Sequence, residues 1–166
     1  MKIHITGNAG AGKTTLAKEL GAKMDLPVFH LDQVVWKPYW EKTDSETRKR
    51  LEEELLCNPN WIIEGVSSNI SYQADLVIFL DVPRYKCIWR CLLRNIPFLF
   101  KSRPELPEHC PEILIFPKLL SIIWRFQTLI RAKLLQEHAL SNNMLVVRTR
   151  GDLDAIQKQV FAYLEE

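Results

Sequence analysis

The stretch GNAGAGKT, residues 7–14, constrains this chain more than any other. It fits the pattern G-x-x-x-x-G-K-[ST]. Before it stands KIHIT, which alternates and is rich in β-branched residues, as a strand is. After it comes TTLAKELGAKM, with Leu16, Leu20 and Met24 four residues apart, as on one face of a helix. A strand, a glycine loop and a helix in that order build a phosphate cradle. The amides of Gly7, Asn8, Ala9, Gly10, Ala11 and Gly12 can turn inward around phosphate oxygens at the positive end of the helix. Lys13 brings a full charge to the β- and γ-phosphates, Thr14 offers a hydroxyl to Mg²⁺, and Thr15 completes the binding run. The alternative, an accidental glycine turn, does not explain why the loop lies between a strand and a helix. The chain contains no N/T-K-x-D guanine signature, so MgATP is the expected ligand.

The rest of the chain continues the alternation of strands and helices. LPVFHLD reads as a second strand, WIIEG as a third, DLVIFLD as a fourth and MLVVR as a fifth. VVWKPYWEK is expected to be an aromatic loop. ETRKRLEEELLC is a helix capped by Asp44 or Ser45 and ended before Asn58-Pro59. A further helix is expected from Arg84 to Asn95. Residues 96–111 hold four prolines and read as irregular. A long helix follows over 112–140, with Leu119, Ile122, Ile123, Phe126, Ile130 and Leu134 on one stripe. DLDAIQKQVFAYL closes the chain as a helix capped by Asp152. Such alternation implies an α/β fold with a five-stranded parallel sheet flanked by helices. The whole of 1–166 reads as one domain, with 33–60 an insertion on the acceptor side and 96–111 a small lid. Ligands of such sheets bind at the carboxyl ends of the strands. The second strand is expected to end at Asp32, the third at Glu64 and the fourth at Asp81.

Composition adds two limits. Apolar residues make up 47% and charged residues 25%, an ordinary globular balance. MKIHITG is too short and polar for a signal peptide, and ILIFPKLLSIIW is too short and interrupted to span a bilayer. The expectation is a cytoplasmic protein without a membrane partner, its four cysteines reduced. Net charge is only +2 but is unevenly spread. Residues 1–83 carry nine Lys/Arg against twelve Asp/Glu, whereas 84–150 carry twelve against four. Residues 84–104 hold six cations and no acid. This favours a local anion site over a general nucleic-acid surface.

The blocks HLDQVVWKPYW, WIIEG, ADLVIFLDVPRYKCIWRCLLR, SRPELPEHCPE and IIWRF, in this order, resemble the bacterial DNA topology modulation (FlaR-related) proteins. These are small P-loop proteins similar to adenylate kinase and other nucleoside monophosphate kinases. The resemblance covers nearly the whole chain. It implies a nucleoside-monophosphate-kinase-like fold and a small-molecule kinase activity more strongly than DNA binding. It also implies roles. Glu64, ending a third strand beside the P-loop strand, would be the acid of the Mg²⁺ shell. Asp32 would be the general base or orient the acceptor hydroxyl. Arg90 and Arg94 would touch the phosphates and base of ATP as the pair that starts the lid, with Arg103 inside it. One departure is visible. Relatives more often carry IIDG and then a longer loop with an arginine, whereas IIEG is followed here by VSSNISYQ, which has no basic residue.

Several of these residues have plainer readings. Glu64 can cap the turn at Gly65 and Val66, and Asp32 can cap a helix. Asp81 precedes Val82-Pro83 and suits a turn. His30, within PVFHLD, suits a packed, hydrogen-bonded histidine. Arg90 and Arg94, four apart, can form a solvated helix face. Trp36, Tyr39 and Trp40 can stack a planar substrate or cover the core. Cys87, Cys91 and Cys110 match no usual zinc spacing and read as buried thiols. Three functions follow. The first is an ATP-dependent kinase of a nucleotide-like or other small acceptor. The second is an NTP-binding regulator contacting nucleic acid through the basic 84–131 segment, and the third is a slow ATPase. A kinase needs both strand-end acids and lid arginines, and the sequence supplies both. Neither the acceptor nor the oligomeric state is legible.

Overall fold

The computed structural model describes residues 1–98, 108–138, 143–149, 151–152 and 154–155. Five strands form one parallel sheet: β1 (Lys2–Gly7), β2 (Val28–His30), β5 (Trp61–Glu64), β6 (Leu76–Leu80) and β7 (Met144–Val147). Their spatial order is β2-β5-β1-β6-β7. β3 (Trp36–Lys37) and β4 (Glu41–Lys42) make a separate antiparallel hairpin. The helices are α1 (Lys13–Met24), α2 (Leu31–Val35), α3 (Ser45–Leu56), α4 (Ser68–Gln73), α5 (Arg84–Asn95), α6 (Glu112–Arg125) and α7 (Arg131–His138).

β1 lies at the centre because Ile3 and Ile5 are fully buried and both neighbours are apolar runs. A strand covered on both faces carries few polar side chains, which is why WII and VIFL are nearly continuous apolar segments. Two of the core clusters lie on opposite faces of the sheet. One joins β1 to α1, α5 and α6 through Leu16, Leu20, Cys87, Cys91, Leu119 and Ile123. The other joins Trp61 and Ile63 to Leu31, Leu56 and Ile70. The register puts Ile5 beside Glu64 and Gly7 beside Leu80, so the ends of β5 and β6 flank the glycine loop.

Some expectations need correcting. β2 stops at His30, and Asp32 lies in the first turn of α2, exposed. The buried Leu31 and Val34 bring the chain into a helical turn there. VSSNISYQ is not a loop. Ser67 caps α4 by accepting from the Ile70 amide (3.4 Å). The aromatic stretch is the β3–β4 hairpin with Tyr39 and Trp40 at positive φ (63° and 60°). The long helix is interrupted by a π turn at Phe126–Ile130, where the Arg131 amide bonds back to Phe126 O. Ile122, expected on the buried stripe, is 38% exposed. Asp44 does cap α3, accepting from the Thr47 amide at 2.8 Å. At residues 149–152 the cap is reciprocal. Thr149 Oγ1 accepts from the Asp152 amide, and Asp152 Oδ2 accepts from the Thr149 amide (3.1 and 2.9 Å). The remainder of that closing helix, from 156 on, lies outside the described residues, as do most of the lid region (99–107) and Arg103.

Candidate active site

The loop Gly7–Lys13 crosses from β1 to α1 at the centre of the sheet. Gly10 has φ +76°, and a Cβ there would stand 2.4 Å from Cys87 O and 2.8 Å from Cys91 Sγ. Only glycine lets α5 press this close to the loop. Gly12 begins α1 at φ 105° without a side-chain cap, so no side chain competes for the first amides of the helix. Lys13 Nζ donates to Gly7 O and Asn8 O, both at 3.0 Å, and so lies across the loop. Asn8 is buried and ties the loop down. Its Oδ1 accepts from the Ala9 amide (2.8 Å), and its Nδ2 donates to Ile123 O in α6 (3.0 Å). Its side chain is committed to packing, which leaves its backbone to face a ligand. Ala11 is buried and Thr15 exposed.

The loop meets the strand ends at Thr14. Its Oγ1 donates to Glu64 Oε1 at 3.0 Å, and His30 Nδ1 meets the same oxygen at 2.9 Å. Glu64 is 5% exposed. Burial pushes its carboxyl up, but the hydrogen bond from His30, the charge of Lys13 and the Thr14 hydroxyl outweigh that and hold it below its ordinary range. His30 is therefore hydrogen-bonded, as read from the sequence, but to a site carboxylate. Residues 65–67 are fixed from two sides. Fully buried His4 donates from Nε2 to Gly65 O (3.2 Å), and its Nδ1 meets Ser71 Oγ (2.8 Å). Buried Glu52 accepts from Ser67 Oγ and Arg48 Nε, each at 2.8 Å, and Arg48 Nη2 reaches Val66 O at 3.3 Å. So a cation stands beside the loop that lacks one in sequence. A cavity of about 300 Å³ opens at this loop, lined by Val66, Ser67, Ser68, Leu129, Ile130 and Lys133.

On the other side α5 brings Arg90 to the loop, with Nη1 on Ala11 O at 3.3 Å. Arg94, one turn on, is half-buried and contacts Asn95 Oδ1 (3.3 Å) and Cys91 Sγ (3.8 Å). Asp81 does not act as a simple turn residue. Arg131 holds it bidentately (2.7 and 2.8 Å) and Arg148 adds a third contact (3.3 Å). These hydrogen bonds, Arg131's foremost, outweigh burial and lower its pKa. Cys87, Cys91 and Cys110 are buried, and burial with the neighbouring Cys91 pushes the Cys87 thiol up to about 11. Among the described residues no three His, Cys, Asp or Glu side chains gather as a metal cluster.

Trp36, Tyr39 and Trp40 pack against the base of the lid region. Trp36 and Trp40 meet edge to face at 5.4 Å, and Trp40 Nε1 donates to Pro111 O at 2.9 Å. Tyr39 stacks on His109 at 5.3 Å, and Lys118 Nζ lies 4.8 Å from the Trp36 ring centre. Trp36 covers Cys110 and Ile115, so the covering role is the one these contacts describe. Asp32 makes no side-chain hydrogen bond or ion pair with the described residues of the loop or with Glu64.

Solved structures share this architecture. Shikimate kinase from Bacteroides thetaiotaomicron is 17% identical, with 100% of this chain and 99% of that one aligned at a TM-score of 0.59. Shikimate kinase from Acinetobacter baumannii, solved with shikimate, is 19% identical over 99% and 93%, at 0.58. Deoxyadenosine kinase from M. mycoides, solved with dCTP, is 19% identical over 98% and 100%, at 0.55. The fold is that of the small-molecule P-loop kinases. No protein-family description and no curated protein matches the chain. Within the P-loop kinase fold, the pairs that sequence reasoning missed are His30–Glu64, Asn8–Ile123 and Arg48–Glu52–Ser67. The first had a visible signal, since His30 and Glu64 end neighbouring strands. Arg48 and Glu52, four apart on the predicted α3 helix, had one too, whereas Asn8–Ile123 and Glu52–Ser67 join residues of different elements and had none.

Proposed function

We propose that the chain is an ATP-dependent phosphotransferase acting on a small acceptor. The observation that carries this reading is the meeting of Thr14 with Glu64 beside a glycine loop whose carbonyls Lys13 and, from α5, Arg90 also contact. Thr14 and Glu64 offer hard oxygen donors, which suits Mg²⁺, an ion usually held by one or two protein oxygens beside the substrate's phosphates. When bound, the ion would neutralise charge on the β- and γ-phosphoryl oxygens. Lys13 leaves its carbonyl partners to engage those phosphates, and the amides of residues 8–15 hold them in place. Arg90, with Arg94 one turn along, meets charge that develops on the transferred group. His30 fixes the Glu64 carboxylate, and Asp32, two residues on in the first turn of α2, orients the acceptor hydroxyl.

The acceptor enters at the cavity beside Val66–Ser68. Its apolar wall and the Ser67 and Ser68 hydroxyls suit a small polar molecule. The shikimate complex of the same fold supports a small polar acceptor. A regulator of nucleic acid, as the topology modulation resemblance suggests, is favoured only by the basic charge of 84–150. Arg131 and Arg148 of that segment are spent on Asp81, and Arg90 lies on the phosphate loop. The test is a panel of acceptors with γ-labelled ATP and Mg²⁺, nucleoside monophosphates first, then nucleosides and hydroxy acids. Label in one of them supports the kinase. Label in none, with ATP bound, supports the regulator.

A further inference from the structure

α5 turns one face inward and one outward. Cys87, Cys91 and Asn95 are buried, and Gly10 of the phosphate loop lies against Cys87 and Cys91. Opposite them Tyr85, Trp89, Leu92, Leu93 and, just beyond the helix end, Ile96 fall within one arc of about 100°. All five are exposed, Trp89 by 62% and Leu93 by 52%. Lys86 continues the arc beside Leu93. α6 packs beside α5 and adds Trp124, 58% exposed, with the Arg84 guanidinium 4.3 Å from its ring centre. Cations thus stand among the apolar side chains of this face. No Asp or Glu occurs at 82–104 or at 113–136, whereas residues 1–83 carry twelve. So α5 has no acid, and the one acid of α6, Glu112, is at the opposite end of that helix from Trp124.

We propose that this face seats the protein on an anionic lipid surface. Lying on a bilayer asks less of a helix than crossing one, and among the described residues no helix is long and apolar enough to cross. Charge selects the occupant. A second copy would enclose Arg84 and Lys86 of both chains in one face, with no acid to answer them. A nucleic acid would meet Leu92, Leu93 and Ile96, and aliphatic side chains neither pair with phosphate nor stack on bases. A protein partner would need carboxylates placed opposite Arg84 and Lys86 on an otherwise apolar surface. A fluid layer of anionic headgroups over acyl chains brings its charge to wherever the cations stand. The aliphatic side chains and rings enter the headgroup boundary, where Trp and Tyr keep their polar tips in the headgroups. Arg84 and Lys86 then reach the lipid phosphates. The helix is held between the lipid and the phosphate loop.

Co-sedimentation of the full chain with vesicles decides the matter. Phosphatidylcholine vesicles containing phosphatidylglycerol should bind it, phosphatidylcholine alone should not, and added salt should weaken the binding. Trp89→Glu and Leu93→Glu, both at exposed positions, should each lower affinity for the anionic vesicles by about tenfold or more. Their circular dichroism and ATP affinity should stay unchanged. Lys86→Glu should lower vesicle affinity several-fold without removing an apolar contact. Tyr72→Glu is the control, since Tyr72 is 90% exposed on α4, away from the face, and binding should persist. A wild type that sediments with neither vesicle overturns the proposal. So does equal binding to both, or binding that survives Leu93→Glu and Lys86→Glu. Single-stranded DNA bound more tightly than the vesicles, and released in Leu93→Glu, also overturns it and assigns the face to nucleic acid. A particle of twice 19.4 kDa, formed in place of vesicle binding and split by Leu93→Glu, overturns it in favour of a second copy.

Discussion

Thr14 and Glu64 stand fifty positions apart in sequence and share a hydrogen bond of 3.0 Å. One begins the helix after the glycine loop and the other ends the strand beside β1. The parallel register of β1 and β5, Ile5 against Glu64, forces them together. On the proposed function, a hydroxyl and a carboxylate so placed would offer Mg²⁺ two protein oxygens.

Glu64→Gln should therefore reduce Mg²⁺-dependent turnover by about 10²-fold or more and leave the fold unchanged, since the amide keeps one acceptor for Thr14 and His30. Because the carboxyl is held below its ordinary value of 4.5, it stays ionised through neutral pH. Its contribution to turnover is present above pH about 5 and fails only as pH falls below that ordinary value. A steady-state pH profile with titrated Mg²⁺ measures this. A protein that keeps its Mg²⁺ dependence after Glu64→Gln holds the ion elsewhere.

Asp81 makes the corresponding statement about stability. Its pKa is lowered by Arg131, so the folded form gains stability above the ordinary carboxylate value, and this is lost as pH falls through the lowered one. Asp81→Asn should destabilise by about 2 kcal/mol at pH 7, discounted because Arg148 is exposed. The difference between variant and wild type should shrink below pH about 4. Urea unfolding at two pH values reads both.

Gly10→Ala tests the close approach of α5 to the loop. A Cβ 2.4 Å from Cys87 O, at a φ of +76°, forces backbone apart and should cost about 3 kcal/mol. ATP affinity should fall with it, because the loop and α5 move together. Calorimetry on a variant of unchanged stability and affinity would show that the contact is dispensable.

The five-stranded parallel sheet, the glycine loop, the Asp44 cap and helix α5 were legible because each is specified locally, by period, cap or glycine pattern. The end of β2 was not. HLD continues the strand pattern, and only the buried neighbours of Leu31 turn it into helix. The role of Trp36 and Trp40 was equally hidden. Their partners Cys110, Pro111 and Ile115 lie some seventy residues on. Asp81 precedes a proline and looked like a turn, while its partners Arg131 and Arg148 belong to the far end of the chain.

Arg90 and Arg94 separate the kinase from the nucleic-acid binder. Replacing both with Ala should cut turnover by about 10³-fold, as loss of a cationic finger does. A segment that tracks a phosphate backbone would instead flatten the slope of log affinity against log salt by roughly two. Turnover and DNA titrations on this one variant forecast opposite outcomes for the two readings.

The fate of the γ-phosphoryl group tests the central claim most directly. Wild-type protein and Lys13→Ala are mixed with γ-labelled ATP, Mg²⁺ and the acceptor panel, and the label is followed into acceptor and inorganic phosphate. Lys13 sits on the loop with its amine on Gly7 O and Asn8 O, outside the core, so its loss removes charge and not packing. A phosphotransferase carries label into an acceptor in the wild type and loses both transfer and ATP affinity in Lys13→Ala. Label that stays in ATP, or passes only to water, in a wild type that binds MgATP tightly would contradict it.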